Sequence, residues 1–358
     1  MPAYRQLVQR LRQGGDEQTV SALDAAQPYF VAALRQELHL PILVTVSSPE
    51  EAKKLYEQLL IWCGSEVGIF LLPEPDTLPY EHLAPDPSTE QQRLQVLFSL
   101  GEAKGKHSPN TEAPLVISSA SAVVRKTIPY TDFSSACHVL RQGMQAAPLE
   151  LLSRWESMGY QRENLVEVPG TMSQRGGILD IYPPNSELPV RIEFFANQIE
   201  SIRLFDPRSQ RSLKSVPAVT LVPAQEAAWS NRGSLIDYLP LNSLLILDEP
   251  TDIESAIEEL DVRASQLRQS QVEKGELLKD FLVPYFTYAE LKAKFDGVKP
   301  RLILTRWSTE SSVSSPHYHL PFAPAPSYGG QLRLFLKETK SLLRERQRVV
   351  IVSHQAAR

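Results

Sequence analysis

The sequence predicts an α/β protein: a mostly parallel sheet domain that carries an inserted small antiparallel α+β domain, followed by the start of a further α/β domain. Three observations predict this arrangement. Short β-rich runs alternate with helical patterns over residues 1–128 and again from about 226, as in a doubly wound sheet. Between them, period-2 segments follow one another at hairpin spacing. A chain of 358 residues also has room for about two to four domains.

The first region, residues 1–128, supplies three strands of the parallel sheet. PILVTV at 41–46 is a β-rich run, and the SPEE that follows at 48–51 offers an N-cap serine, a proline at the first helical position and a capping-box glutamate. We therefore predict a helix that continues to about residue 60. VGIFLL at 67–72 and PLVISS at 114–119 are the second and third strands.

A helix from about Ser88 to Leu100 connects the last two of these strands. Ser88 and Gln91 fit a capping box at its start. The segment before it, residues 73–90, is interrupted by prolines, which indicates a fixed, non-helical surface loop.

The inserted domain is predicted over residues 129–225. It begins with a helix around 148–157, and its strand candidates are NLVEV, GGILDIY, VRIEFF, IESIRLF and AVTLVP. Because the mixed pattern returns after it, we expect the strands before and after the insertion to share one sheet.

The last third of the chain resumes the α/β pattern over residues 226–310. LLILDEP at 244–250 precedes a long polar helix near 252–273, and RLILT at 301–305 is a further strand. Residues 311–330 are rich in Ser, Pro and Gly and are predicted to be a linker. A helix and the strand VVIVSH then occupy 331–358, which we interpret as the start of a following domain.

Composition narrows the function classes. The net charge of -5 and pI near 5.9 give no global attraction to nucleic acid. The two cysteines, Cys63 and Cys137, lie far apart in unrelated contexts, so neither a disulfide framework nor a metal knuckle is expected. The N-terminus lacks the apolar core of a signal peptide, and the longest apolar runs fall well below the roughly 18–20 residues that span a bilayer. We expect a cytoplasmic protein.

Nucleotide chemistry is suggested by one motif and opposed by another. No GxxxxGK[ST] phosphate loop occurs, and GEAKGK at 101–106 has the wrong spacing, lacks the hydroxyl residue and is predicted to be a solvated turn in a polar loop. LLILDEPT, an apolar strand ending in Asp248 and Glu249, has the form of a Walker B motif. The simpler alternative is that Asp248, Glu249 or Thr251 caps the following helix. We expect no catalytic residue and no cofactor in this chain.

Two other groups of polar residues have equally simple interpretations. His317 and His319 form an HxH pair inside the predicted linker, without the further ligands that a zinc site needs. Four carboxylates lie in or next to the proline loop: Asp76, Glu81, Asp86 and Glu90. Nothing in the sequence fixes the separation of these carboxylates, so an exposed acidic loop is favoured over an acid/base pair.

The segment PVRIEFFANQIESIRLFD, residues 189–206, predicts a hairpin with one unusual face. Strand periodicity places Ile192 and Phe194 on the core side, and Arg191, Glu193 and Phe195 on the outer side. The turn Ala196-Asn197-Gln198 is short enough for a hairpin, and Asn197 is a residue able to take positive φ. An exposed aromatic beside an arginine is typical of a protein-interface hot spot. The alternative is that a neighbouring helix or loop covers Phe195.

The segment VPGTMSQRGGILDIYPPNSELPVRIEFFANQIESIRLFDPRSQRSL, residues 168–213, closely resembles the second domain shared by the bacterial transcription-repair coupling factors (the Mfd family) and the excision-repair protein UvrB. Residues 72–97 and 114–129 are similar to first-domain segments of the same family. The resemblance implies a UvrB-like module whose parallel domain has a degenerate P-loop-type fold.

Two departures from UvrB point to the N-terminal module of the coupling factors. Pro28 stands where the phosphate-loop lysine is expected, with no glycine nearby, and UvrB's DNA-gripping hairpin is not evident between Tyr80 and Ser88. The resemblance thus implies that LLILDEP is a structural relic of a Walker B motif.

The resemblance also implies a partner. In this family the second domain binds UvrA, and the matching positions here are Arg175, Arg191 and Phe195. RNA polymerase and DNA would be bound by C-terminal domains outside this chain, as would the ATP and Mg of the full-length family protein; no membrane partner is implied. Two alternatives remain at this point: a divergent UvrB-like repair ATPase, and a DNA-binding module. The basic residues of the second alternative are Arg203, Arg208, Arg211 and Lys214.

Overall fold

The structure is a computed structural model of the 358-residue chain. It describes residues 1–14, 17–64, 68–74, 79–80, 86–105, 113–226, 232–306, 316–323 and 328–349. The chain forms two compact units, Met1–Leu320 and Pro321–Arg358.

The described strands are β1 (Gln18–Ser21), β2 (Ile42–Val46), β3 (Ile69–Leu72), β4 (Leu115–Ser119), β5 (His138–Arg141), β6 (Gln161–Arg162), β7 (Thr171–Arg175), β8 (Ile178–Ile181), β9 (Val190–Phe195), β10 (Gln198–Phe205), β11 (Ser212–Ser215), β12 (Ala218–Leu221), β13 (Leu244–Asp248), β14 (Arg301–Thr305) and β15 (His317–His319). The described α-helices are α1 (Pro2–Arg12), α2 (Gln27–Leu38), α3 (Pro49–Cys63), α4 (Pro87–Gly105), α5 (Ala120–Val123), α6 (Tyr130–Ala136), α7 (Pro148–Ser157), α8 (Pro250–Glu273), α9 (Tyr288–Asp296) and α10 (Leu332–Arg344).

A parallel sheet forms the larger part of the first unit, with its strands in the order β15-β1-β14-β13-β2-β4-β3. Strand β2 pairs with β4 on one side and with β13 on the other. This confirms that strands from before and after the inserted region share one sheet. Every residue of β2, β4 and β13 is buried. Strands covered on both faces need apolar residues at every position, which explains their near-continuous apolar sequences.

Local details of this domain differ from the predictions. Ser48 caps α3 as expected, because its hydroxyl accepts a hydrogen bond from the Glu51 amide at 3.2 Å, but the Glu51 carboxylate accepts one from Ser47 instead of closing the capping box. The cap of α4 is Asp86 and not Ser88: the Asp86 carboxylate accepts hydrogen bonds from the amides of Ser88 and Thr89. The first turn of α4 starts earlier than predicted for that reason.

Two segments predicted to be irregular are ordered elements. Residues 101–105 of the GEAKGK fragment belong to α4 and are helical, so this fragment is not a polar loop. Residues 317–319, inside the predicted linker, form β15 and pair in parallel with β1. The side chains of Ser21 and His319 are joined by a 3.1 Å hydrogen bond across this pair.

The antiparallel sheet has the strand order β11-β10-β9-β8-β7-β6. Its inner face packs against α7, whose Leu152 and Trp155 are buried in the same apolar cluster as Met172, Leu179 and Ile192. Helix α7 spans the predicted residues 148–157. The sheet therefore has one covered face and an outer face, which carries the site described below.

Strand assignments in the inserted region were partly wrong. NLVEV is a loop, and the strand before the double glycine is β7, in which only two adjacent side chains are exposed. The predicted AVTLVP strand exists as β12, but it pairs with β5 in a separate two-stranded sheet. Polar residues on β7 and β11 gave no apolar alternation, and this is why neither strand was predicted.

Helix α4 contacts the inserted region through polar side chains. The amides of Gln91 and Gln95 both donate hydrogen bonds to the Pro184 carbonyl oxygen, at 3.3 and 2.9 Å. The buried ion pair between Arg93 and Glu226 closes at 2.7 Å. These contacts fix the inserted region against the parallel domain within the first unit.

In the second unit, α10 presents several exposed leucines. The predicted strand VVIVSH lies almost entirely outside the described residues. No helix in the part of the chain that the structure describes is long and apolar enough to cross a membrane.

Candidate protein-docking surface

The outer face of the antiparallel sheet is built by strand register. Arg191 stands opposite Asp180 on β8 and opposite Arg203 on β10. In the next row toward the hairpin end, Ile178 stands between Arg175 on β7 and Glu193 on β9. Because side chains alternate along each strand, Arg175, Arg191 and Phe195 share this face.

Phe195 lies at the open end of that face. Its side chain is 74% exposed, whereas Ile192 is fully buried and Phe194 packs against the inner core. The alternation predicted from the sequence is therefore confirmed, and the alternative that a helix or loop covers Phe195 does not hold. Strand geometry of about 3.3 Å per residue puts the Cα atoms of Arg191 and Phe195 about 13 Å apart.

Two tight turns, β7–β8 and β9–β10, lie at the end of the sheet that carries Phe195. In the β9–β10 turn the residue at positive φ is Ala196, with φ 52°, although Asn197 is the residue type that tolerates this conformation better. In the β7–β8 turn Gly176 takes φ 59°, and a Cβ on Gly177 would stand 3.1 Å from the Phe194 carbonyl oxygen. The double glycine thus lets β8 approach β9 closely, because it places no side chain beside Phe194 and Phe195.

Arg191 is held largely from within the sheet. Its Nε and Nη2 donate to the two carboxylate oxygens of Asp180, both at 2.8 Å, and its Nη1 donates to the Gln210 carbonyl at 3.2 Å. Three of its five N–H donors are thereby used. The side chain is 17% exposed and that of Asp180 is 3% exposed. Hydrogen bonding to Asp180 raises the pKa of Arg191.

Beneath Arg191 the outer face is filled rather than open. The guanidinium carbon lies 4.6 Å from the centre of the Phe205 ring, which is fully buried with Val166 and Tyr182. Phe205 and Phe195 therefore point to the same face but differ in exposure. One end of the face is a small core, and the other end is open to solvent.

Other charged groups surround the open end. The Arg175 side chain is exposed, and its Nη2 donates to the Asn164 carbonyl at 3.0 Å. Glu193 pairs with Arg203 at 3.3 Å and accepts a hydrogen bond from the Ser201 hydroxyl at 2.7 Å. An exposed aromatic ring thus shares one face of the sheet with guanidinium groups, the composition of an interface hot spot.

Asp180 is the functional residue that sequence reasoning missed. It is the aspartate of GGILDIY, at an outward position of β8. Pairing the two hairpins around the double glycine and around Ala196-Asn197 would have placed it opposite Arg191.

The carboxyl edge of the parallel sheet is the second site that the sequence suggested. Asp248 ends β13, is 7% exposed and accepts a 3.0 Å hydrogen bond from the Gln27 amide. Burial raises the pKa of its carboxyl to about 7. Glu249 starts α8 at φ 48° without a side-chain cap, so the capping interpretation is wrong for that residue.

The Arg306 guanidinium joins acidic groups at this edge. Arg306 lies 3.0 Å from the Asp24 carboxylate and 3.3 Å from that of Glu51, and its backbone amide donates to Glu249. Together with the hydrogen bond from Gln27, these contacts pair the acidic groups of the edge with other groups of the chain.

This edge does not fit ATP and Mg. Pro28 occupies the first turn of α2, and residues 22–38 contain neither the glycines that wrap a phosphate nor a lysine that neutralises it. Among the residues that the structure describes, no group of three or more His, Cys, Asp or Glu could hold a metal ion.

The remaining polar candidates that the structure describes lie on β15 and at the start of α4. His317 and His319 lie on β15, an edge strand of the parallel sheet. Asp86 caps α4, and Glu90 accepts a 2.7 Å hydrogen bond from the Glu226 amide. The other two loop carboxylates, Asp76 and Glu81, lie outside the described residues.

Comparison with known proteins adds a family context to this geometry. Residues 139–227 match the UvrB interaction domain, which includes the whole outer face. The transcription-repair-coupling factor of Myxococcus xanthus is 34% identical over 228 residues, covering 62% of this chain and 18% of the relative. That of Bacillus subtilis (strain 168) is 26% identical over 343 residues, covering 79% of this chain and 28% of the relative. That of Escherichia coli (strain K12) is 27% identical over 213 residues, covering 59% of this chain and 18% of the relative.

The chain thus spans less than a third of the length of the relatives that it matches. The domain match and the relatives together support a module of the N-terminal, UvrB-homologous kind found in transcription-repair-coupling factors. The mixed parallel and antiparallel architecture is consistent with such a module and its inserted domain.

Proposed function

We propose that this chain acts in transcription-repair coupling as a docking module that recruits the excision-repair protein UvrA through the outer face of its antiparallel sheet. The single observation that carries the proposal is Phe195, 74% exposed on the same face of the sheet as Arg175 and Arg191. The UvrB interaction domain spans this face.

The physical basis of docking differs among the three residues. Phe195 offers a rigid ring whose burial in a partner's pocket removes apolar surface from water. Arg175 is exposed and can make directed hydrogen bonds to a partner's carboxylate or carbonyl groups. Arg191 can offer its two remaining N–H donors from a fixed position, because Asp180 and Gln210 hold the other three.

In this proposal the chain itself hydrolyses no nucleotide. Gln27, Arg306 and Pro28 occupy the edge where phosphates and metal would be needed. Binding to RNA polymerase and to DNA by the full-length protein, with its use of ATP and Mg, is assigned to further domains. Binding of ATP by the isolated chain would instead support the divergent UvrB-like ATPase.

The test is a binding titration of the 358-residue chain against purified UvrA. Truncating a central hot-spot side chain costs about 2–4 kcal/mol, so Phe195→Ala should weaken binding roughly 30- to 1,000-fold. Leu241→Ala is the matched control, since Leu241 is 99% exposed and lies outside the antiparallel sheet. Equal affinities for the wild type, Phe195→Ala and Arg175→Ala would refute this surface.

A further inference from the structure

A second surface, far from the docking face in sequence, gathers cations around aromatic rings. Three short segments, residues 124–127, 232–233 and 284–286, pair side by side through backbone hydrogen bonds. We call them the basic ribbon. The Lys126 amide donates to the Pro284 carbonyl at 3.0 Å, and Thr127 and Gly233 exchange two hydrogen bonds of 2.9 Å.

Gly233 makes this close pairing possible. A Cβ at that position would stand 2.7 Å from the Pro129 Cα, a distance that no side chain tolerates. The neighbouring residue Arg232 is exposed, so the pairing brings its charge next to the segment that carries Lys126.

Lysine side chains converge on the basic ribbon from α4 and α9 as well. The ammonium groups of Lys126 and Lys294 lie 5.1 and 5.5 Å from the centre of the same Phe286 ring. That of Lys104 lies 4.5 Å from the Tyr130 ring. Rings at this distance attract and order cations.

Asp237 ties two of these lysines together. Its carboxylate accepts from Lys294 at 2.8 Å, and its backbone carbonyl accepts from Lys104 at 2.5 Å. Each ammonium group has three donors, so both retain donors for further acceptors. Charges held in place in this way bind a polyanion with little loss of side-chain entropy.

We propose that the basic ribbon binds the phosphate backbone of duplex DNA without reading its sequence. Lys104, Lys126 and Lys294 supply the ordered cations, and Arg232 adds an exposed one. Phe286 is only 8% exposed and lies beneath two lysines, so it provides no platform on which unpaired bases could stack. The chain's net charge of -5 makes this a local attraction.

The experiment is fluorescence anisotropy of a labelled duplex with the 358-residue chain at 25 to 200 mM salt. Four phosphate contacts, one for each of these cations, predict a slope of log affinity against log salt of about −3.6, which is roughly a 150-fold loss between 50 and 200 mM. Lys104→Gln/Lys126→Gln/Lys294→Gln should reduce the slope to the value of about −0.9 that Arg232 alone can give. A control variant with the same charge change, Arg10→Gln/Lys53→Gln/Lys54→Gln, should keep the wild-type slope, since these three residues are exposed on α1 and α3.

Asp237→Asn gives the opposite prediction. Asparagine can still accept the hydrogen bond from the Ser234 amide, but it no longer competes with phosphate for Lys294. Duplex affinity should rise about 1.5- to 5-fold, the range of an exposed ion pair. A lysine that served only to stabilise the fold would give no such increase.

Three outcomes would overturn the proposal: no salt-dependent duplex binding, unchanged binding by the triple lysine variant, or competition by polyglutamate as strong as by DNA. Loss of duplex binding through Arg203→Gln/Arg208→Gln/Arg211→Gln/Lys214→Gln, with the lysine variant intact, would move the site to the inserted region. Phe195→Ala should leave duplex binding unchanged, so this result is independent of UvrA docking.

Discussion

The outer face of the antiparallel sheet and the carboxyl edge of the parallel sheet are both rich in charge, yet the first leaves an aromatic side chain in water and the second pairs its charged groups with one another. On the outer face, which also carries Arg175, Phe195 remains 74% exposed. At the carboxyl edge, Asp248 is 7% exposed, and Gln27 and Arg306 bind the groups around it.

The difference lies in what satisfies the polar groups. Asp180 holds Arg191 within the sheet, while the Phe195 ring farther along the same strand remains exposed. Arg306, in contrast, bridges the carboxylates of Asp24 and Glu51. Charged groups that pair within the chain already have a partner, whereas an aromatic residue left in water is available to another protein.

The largest effect should come from the two phenylalanines of the outer face. Phe205 is fully buried, so Phe205→Ala should lower the free energy of unfolding by about 3–5 kcal/mol. Phe195→Ala should change it by no more than about 0.5 kcal/mol, because its ring contacts mainly solvent. Urea titrations of both variants measure this difference. A similar loss in both would mean that Phe195 stabilises the fold rather than a complex.

Asp180→Ala tests how the open face is kept in order. Removing the carboxylate leaves the half-buried Arg191 without its main partner and should cost about 2–3 kcal/mol of stability, below the range for a fully buried pair. UvrA affinity should also fall, although Asp180 is 3% exposed and cannot touch a partner.

The double variant Asp180→Leu/Arg191→Leu supplies the control for that experiment. Two apolar residues should recover much of the stability lost in Asp180→Ala, because no charge is left unpaired. UvrA binding should remain weak, since the guanidinium donors are gone. Full recovery of binding would show that Arg191 acts only on the fold.

The stability of the carboxyl edge of the parallel sheet should depend on pH through Asp248. Its folded-state pKa is raised to about 7 by burial, above the ordinary value near 4. The folded state therefore binds this proton more tightly than the unfolded state. The proton's contribution to the free energy of unfolding is fully present below about pH 4 and is lost as the pH rises through 7.

Asp248→Asn isolates this contribution. Asparagine keeps an acceptor for the Gln27 amide and cannot ionise, so the variant should be about 1–3 kcal/mol more stable than the wild type at pH 8 and nearly equal to it at pH 4. Thermal unfolding across that pH range measures the difference. A gap that does not change with pH would show that Asp248 does not titrate in this window.

The buried strands and the outward position of Phe195 could be predicted from the sequence, whereas two strands were missed. Buried strands such as β2 and β13 are apolar throughout, and the alternation of VRIEFF placed Phe195 on the outer face, because period and burial are written in local sequence. The strand β7 was missed because its exposed end is polar, and β15 because it depends on pairing with the distant β1.

The contacts that pair the charged groups at the carboxyl edge could not be predicted from the sequence. The Walker B-like run identified Asp248. Its hydrogen-bond partner Gln27 lies 221 residues before it, and Arg306 directly follows the last residue of β14. Tertiary pairs of this kind leave no local pattern. The same holds for Asp180 and Arg191, which strand register brings together.

The smallest predicted effect concerns the turn that presents Phe195. Ala196 takes φ 52°, where a Cβ costs about 1–2 kcal/mol and glycine costs nothing. Glycine also loses about 0.4–1 kcal/mol more in chain entropy on folding, so Ala196→Gly should stabilise the chain by up to about 1 kcal/mol. UvrA affinity should stay within about twofold of the wild type, because the register of β9 with β10 holds the ring in place on either side of the turn. Asn197→Gly is the matched control, since Asn197 is not at positive φ and its replacement should destabilise slightly. If Ala196→Gly instead weakened UvrA binding severalfold at unchanged stability, the rigidity of the turn, and not only the exposed ring, would be part of the docking surface.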